Sequence, residues 1–108
     1  MFIASRELLI DRNTKPVRVP IGIEQPRDIG GHWRCAFEIG WPERTHRAEV
    51  GGTDSVAALV SALKLIALEI YGSAYHAAGR LYLQDSGGYG FPLPGYRRDV
   101  AVGFDVEF

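Results

Sequence analysis

TDSVAALVSALKLIALEIY, the stretch from Thr53 to Tyr71, decides the fold because it is apolar around most of a helical circumference. Apolar residues at three- and four-residue spacing are typical of an α-helix that packs on a core. At its start, Thr53 or Asp54 can accept hydrogen bonds from the free amides of a first turn. We therefore predict one long helix, which ends at Gly72 or continues to Gly79.

The predicted helix has a broad apolar face and a flank of small and apolar residues. At about 100° per residue, the broad face is expected to lie on a sheet and consists of Val56, Leu59, Val60, Leu63, Ile66, Ala67 and Ile70. The flank consists of Ala58, Ala62, Leu65 and Leu68. A single helix leaves no second helix to cover this flank, so we expect it to be the interface of a homodimer or with another protein partner.

Most of the remaining chain alternates apolar and polar residues, as half-buried β-strands do. The clearest predicted strands are Val17–Glu24, Trp33–Trp41 and Val100–Phe108, and the weaker ones are Ile3–Ile10, Thr45–Val50 and Leu81–Gln84. Clean alternation favours antiparallel pairing with one solvated face. The prediction is an α+β fold: a largely antiparallel sheet of five to six strands, in the chain order β-β-β-β-α-β-β, with one long helix packed on one face.

Length and composition limit the function. A chain of 108 residues is expected to form a single domain, residues 1–108, and its net charge of -1 argues against a nucleic-acid partner. A lone cysteine, Cys35, excludes an intramolecular disulfide and is typical of a reducing compartment. Charges at Arg6 and Glu7 leave no room for a signal peptide, and the helix carries Lys64 and Glu69, so we expect a cytoplasmic protein without a membrane span.

The loop from Ser86 to Asp99, SGGYGFPLPGYRRD, is the candidate ligand-binding site, because a connection of this length is often functional. Its aromatic residues could stack on a small-molecule ligand and its arginines could bind phosphate or carboxylate; the candidates are Tyr89, Phe91, Tyr96, Arg97 and Arg98. A second interpretation stays open. Pro92 and Pro94 would then fix an extended turn, the aromatic side chains would pack over the end of the sheet, and the arginines would be solvated.

Residue types with catalytic or metal-binding chemistry do not form a recognisable motif. The histidines, His32, His46 and His76, lack the spacing of metal ligands, so we expect no metal and no cofactor. Cys35 lies on the apolar side of its strand, where burial raises the pKa of a thiol. Asp105 and Glu107 share the outer face of the last predicted strand and form either an acid/base pair or a solvated surface paired with Arg18, Arg34 and Arg47.

Several short motifs resemble a family of small bacterial proteins described only as a domain of unknown function. They are Ser5-Arg6-Glu7, Val19-Pro20-Ile21-Gly22 followed by Pro26, Trp33-Arg34-Cys35, the run Gly51-Gly52-Thr53-Asp54-Ser55-Val56-Ala57-Ala58-Leu59, and the turn Gly90-Phe91-Pro92. The resemblance spans most of the chain and implies the same architecture and a bacterial source. It implies no catalytic residue.

Three functional hypotheses remain. The first is a non-catalytic interaction or oligomerisation protein, which we favour because no catalytic constellation is visible and the helix flank is uncovered. The second is a small-ligand-binding protein or small enzyme that uses the loop of residues 86–99. The third is an immunity-type protein that neutralises a partner through its acidic and aromatic outer surface.

Overall fold

The computed structural model describes residues 1–108 and contains six strands and two α-helices. The strands are β1 (Phe2–Ile10), β2 (Val17–Glu24), β3 (Arg27–Ile29), β4 (His32–Gly40), β5 (Thr45–Gly52) and β6 (Leu81–Tyr82). The α-helices are α1 (Ser55–Tyr71) and α2 (Ala74–Ala77), and two 3-10 helices follow at Gly95–Val100 and Gly103–Glu107. The predicted α+β class with an antiparallel sheet and one long helix is confirmed.

The sheet is an antiparallel meander. β1 pairs with β2, β2 with β4, and β4 with β5, while β6 pairs only with Leu9 and Ile10 of β1. β3 pairs with the beginning of β4, on the same edge that β2 occupies further along. Pro26, which cannot donate a backbone hydrogen bond, separates β2 from β3, so the two behave as one interrupted strand.

Helix α1 packs over β4 and β5 on the inner face of the sheet. Asp54 caps its start by accepting a hydrogen bond of 2.7 Å from the Ala57 amide, and the amide of Gly72 closes its end on the carbonyl oxygen of Leu68. The helix therefore ends at Gly72, and α2 is a separate short helix capped by Ser73. No helix of the structure combines the length and the apolar character needed to cross a membrane.

The predicted orientation of α1 is wrong in part. Ile66, Ala67 and Ile70 of the predicted face are buried as expected. Ala58 and Ala62, expected on an outward flank, are fully buried against the sheet, whereas Val56 and Val60 are 67% and 39% exposed. The alanine side faces inward because it lets the helix approach the strands closely: a β-carbon placed on Gly52 would lie 2.3 Å from the backbone nitrogen of Ala58. A helix surface that touches another backbone so closely cannot also bind a second chain.

The predicted strand at Val100–Phe108 is also wrong. Its second half forms the 3-10 helix Gly103–Glu107, and Gly103 has a φ of +54°, which interrupts extended backbone. Asp105 is consequently buried, at 1% exposure, instead of sharing an outer face with Glu107. The hydroxyl of Tyr71, at the end of α1, donates to Asp105 and accepts from the Val102 amide, so the C-terminal segment covers this end of the helix.

Candidate functional site

The five residues proposed from the loop of residues 86–99 do not form one surface. Tyr89 and Phe91 are almost fully buried in the core beside Leu93. Tyr96, Arg97 and Arg98 are exposed on the 3-10 helix that follows. For the two buried aromatic residues, the structure matches the interpretation in which the loop packs over the sheet.

Tyr71, His76, Tyr89 and Asp105 form a connected group that we call the polar cluster. The Asp105 carboxylate accepts hydrogen bonds from the Tyr71 hydroxyl at 2.6 Å and from the backbone amides of Tyr89 at 3.0 Å and Gly90 at 2.7 Å. The Tyr89 hydroxyl lies 2.5 Å from Nδ1 of His76, and the Tyr89 ring meets the Tyr71 ring edge-on at 5.3 Å. Side chains from α1, α2 and the C-terminal segment thus meet at the loop.

Two glycines explain how the backbone cradles Asp105. Gly88 and Gly90, on either side of Tyr89, have φ angles of +92° and +77°, which residues with side chains rarely adopt. This conformation turns the amides of Tyr89 and Gly90 toward the carboxylate. A β-carbon on Gly88 would lie 2.7 Å from Oδ1 of Asp105, so the close approach itself requires glycine.

The environment keeps the tyrosine hydroxyls of the polar cluster protonated. Burial, followed by the hydrogen bond to Asp105, raises the pKa of Tyr71 well above its ordinary value. Burial and the nearby Asp105 charge raise the pKa of Tyr89 to about 12. Both hydroxyls therefore keep their protons at neutral pH, which suits a structural donor better than a proton acceptor.

The polar cluster contains residue types that are common in active sites, but its hydrogen bonds connect segments of the chain to one another. All buried side-chain nitrogen and oxygen atoms in the protein have hydrogen-bond partners. The main surface cavities are lined by other residues. The carboxylate of Asp105 therefore fastens the C-terminal segment to α1 and to the loop, and none of these cavities is lined by Asp105.

A second feature is the N-terminal half of β1. From Ile3 to Glu7 the strand pairs with β2 along one side only, because β6 reaches just Leu9 and Ile10, and all five residues are exposed. We call these five residues the open edge. Beside it, a groove of about 170 Å³ lies between β1, β2, α1 and the loop; its lining includes Ala4, Arg6, Ile23, Leu63 and Phe91.

Arg6 connects the open edge to the polar cluster. Its Nη1 donates to the carbonyl oxygen of Gly90 at 2.6 Å and to that of Tyr89 at 3.3 Å, and its guanidinium carbon lies 5.2 Å from the centre of the Phe91 ring. Gly90 in turn donates its amide to Asp105. The buried carboxylate thereby holds the loop that positions Arg6.

Ion pairs cover the outer face of the sheet. Arg47 contacts Glu24 at 2.5 Å and Glu38 at 3.2 Å, and Glu49 lies 2.8 Å from both Arg27 and Arg34. Arg18 lies 3.6 Å from Glu7. The expected pairing of Arg18, Arg34 and Arg47 with Asp105 and Glu107 is therefore wrong, because the C-terminal segment lies elsewhere.

The histidines and the single cysteine of the chain do not form one group. His46 lies 3.6 Å from Glu69 and His76 adjoins Tyr89, while His32 is exposed on β4. No group of three or more His, Cys, Asp or Glu side chains converges as a metal ion requires. Cys35 is fully buried, and burial raises the pKa of its thiol, as predicted.

The candidate interface residues on α1 are not free to bind a partner as a group. Ala58 and Ala62 lie in the core, and Leu65 and Leu68 are half-buried and pack against it. Sequence reasoning missed Tyr71 of the polar cluster and assigned Asp105 to an outer face beside Glu107, since alternation placed Asp105 on a strand. Gly103, in the middle of that predicted strand, was the signal that pointed to an interruption.

Comparison with known proteins identifies a family but no characterised relative. Residues 4–93 match a family model described as a domain of unknown function. This span contains β1 from Ala4 onward, both α-helices and the buried part of the loop. No curated protein and no solved structure matches the chain. Since the match covers most of the residues, the chain belongs to the family Domain of unknown function (DUF6968).

Proposed function

We propose that this protein is a non-catalytic interaction protein that associates with a second copy of itself through the region around the open edge. The observation that carries the proposal is the unpaired side of Ile3–Glu7. Ile3 is 52% exposed, and the adjacent Phe2 is 44% exposed. Unpaired strand edges bearing apolar residues are common sites of strand pairing between chains. A cytoplasmic location belongs to the same proposal.

The polar cluster supports a binding role over a catalytic one. Its hydrogen-bonding groups are occupied by contacts within the chain, and Asp105 is closed off from solvent. The open edge has the opposite property, since its backbone groups on one side have no partner within the protein. Capacity to bind another molecule therefore concentrates at the open edge.

The alternative of a ligand site in the loop has weaker support. Stacking on a ligand would require Tyr89 and Phe91 to be accessible, and both lie in the core. The exposed residues Tyr96, Arg97 and Arg98 remain, but the guanidinium of Arg98 already donates to the Val106 carbonyl oxygen at 2.7 Å. An interaction with a second copy requires no change in these contacts.

Sedimentation equilibrium over a range of protein concentrations tests the proposal. We expect a monomer–dimer equilibrium with a dissociation constant in the micromolar range, because a strand edge forms a small interface. Ile3→Asp should weaken association at least about tenfold by placing a charge beside the unpaired edge. Val56→Asp is the matched control, since Val56 is an exposed apolar residue on α1, and it should leave association unchanged. A wild-type chain that stays monomeric at every concentration would contradict the proposal.

A further inference from the structure

The open edge has only part of the usual protection against strand pairing. Natural edges are protected by proline, bulges or charged residues. Here the bulge of β1 lies between Phe2 and Ala4, at the beginning of the strand, and the charged residues are Arg6 and Glu7, so Ala4 and Ser5 are neither bulged nor charged. The strand that follows the bulge is regularly paired with β2 from Ala4 to Ile10. Its other side is therefore a regular template for an added strand.

We infer that the open edge pairs with the same edge of a second copy, antiparallel and about a twofold axis at Ser5, so that two sheets join into one. This inference rests on the proposed self-association and specifies its geometry. A twofold axis perpendicular to the sheet brings identical edges together and makes the contact isologous, the commonest arrangement in homodimers. Ser5 is the central residue of Ile3–Glu7, so this axis uses the whole open edge.

The charges on the open edge favour this register over those with an axis closer to Glu7. With the axis at Ser5, Ala4 lies opposite Arg6 of the second copy and Ile3 lies opposite Glu7. No two like charges then face each other. An axis at Arg6 would place two guanidinium groups directly opposite, and an axis at Glu7 would do the same with two carboxylates, which destabilises a strand pair.

The side chain of Arg6 is already held where the added strand would not meet it. Arg6 occupies the inner face of the sheet, as do Leu8 and Ile10, and its guanidinium is fixed against the loop by the Tyr89 and Gly90 carbonyl oxygens. Ser5 points to the opposite, outer face, across from Gly22 of β2, and the ring of Phe2 packs over Gly22. Ser5 is itself exposed, so a larger side chain at position 5 can extend into solvent within the monomer.

Charge exchange at Ser5 tests the inference. In a dimer with its axis at Ser5, the two Ser5 side chains would be direct neighbours, about 5 Å apart at their β-carbons. Ser5→Lys and Ser5→Asp should each raise the dissociation constant at least about tenfold, because each places two like charges at the axis. An equimolar mixture of the two variants should restore association, as a heterodimer with opposite charges. Val56→Lys and Val56→Asp, alone and mixed, are the matched controls and should behave as wild type.

The outcomes separate this inference from the proposed function. A monomeric wild-type chain would overturn both. If the wild type dimerises and Ser5→Lys dimerises equally well, self-association stands and pairing through the open edge is overturned. If both variants are weakened but the mixture stays monomeric, the axis does not lie at Ser5 and the inferred register is overturned. Urea unfolding of each variant confirms that the fold is retained, as expected for an exposed position.

Discussion

The two edges of the sheet have the same backbone chemistry and different protection. β5, at one edge, carries Arg47 and Glu49 in ion pairs, and its final residue, Gly52, is pressed against the backbone of α1. The open edge of β1, at the other end, adjoins a groove to which α1 contributes Leu63, and its single ion pair is the 3.6 Å contact between Glu7 and Arg18. Both edges leave one side of a strand unpaired.

This difference indicates which edge can accept a partner. Charged residues disfavour strand addition, because a partner would have to desolvate the charges. At β5 this cost applies at Arg47 and Glu49. At the open edge it does not apply between Ile3 and Ser5. In the proposed dimer, the position of the interface follows from protection of the edges more than from the number of exposed apolar residues.

Removing the carboxylate of Asp105 should have the largest effect on the free energy of unfolding. Asp105→Ala leaves the buried donors of Tyr71, Tyr89 and Gly90 without an acceptor, and we expect a loss of about 3–5 kcal/mol in the free energy of unfolding. Urea denaturation measures it. Asp99→Ala, at an exposed position nearby, is the control and should change stability by less than about 0.5 kcal/mol. Equal stability of the two variants would show that the polar cluster does not fasten the C-terminal segment.

A substitution at Gly52 tests the protection of the β5 edge. The β-carbon in Gly52→Ala would overlap the backbone of Ala57 and Ala58, so α1 must shift away from β5. We expect a destabilisation of about 1–3 kcal/mol in thermal or urea unfolding. Gly95→Ala is the matched control, because no atom lies within 4 Å of the added carbon there. If Gly52→Ala is as stable as Gly95→Ala, close packing does not hold the helix on β5.

The ion pairs of the outer face should make stability depend weakly on acidic pH. The hydrogen bond from Arg34 is the main cause that lowers the pKa of Glu49 below its ordinary value, and the hydrogen bond from Arg47 does the same for Glu24. A carboxylate with a lowered pKa in the folded state contributes its full stabilisation above the ordinary value of about 4.3, and loses it as the pH falls through the folded-state pKa. Urea unfolding between pH 6 and pH 3 should show this decline, and Glu49→Gln should reduce it. An identical decline in Glu49→Gln would exclude a contribution from this pair.

The helix and the first strands could be predicted from the sequence because their signals are local. The pattern of Val17–Glu24, the buried side of Cys35 and the cap at Asp54 depend on neighbours within a few residues, and each was predicted. The face of α1 that meets the sheet was predicted only in part, since apolar residues surround most of the helix. Ala58 and Ala62 lie on the buried side because small residues permit close approach to the strands.

The C-terminal segment could not be predicted from local pattern. Alternation from Val100 to Phe108 favours a strand. In the structure, however, the Asp105 carboxylate accepts hydrogen bonds from the loop amides and from Tyr71, which are more stabilising than exposure on an outer face. Those partners lie 16 and 34 residues away in the sequence, so no local spacing indicates them. The open edge could not be predicted either. The strand itself was predicted, but not that β6 would pair with only two of its residues.

Amide hydrogen exchange at low and high protein concentration compares both edges in one experiment, and therefore shows whether a second copy pairs with the open edge or with β5. We predict that the amides of Ile3–Glu7 that point away from β2 exchange more slowly as the concentration rises, while the outward amides of β5 are unchanged. Exchange at Ile3–Glu7 that is independent of concentration, or protection that develops at β5 instead, would contradict the account.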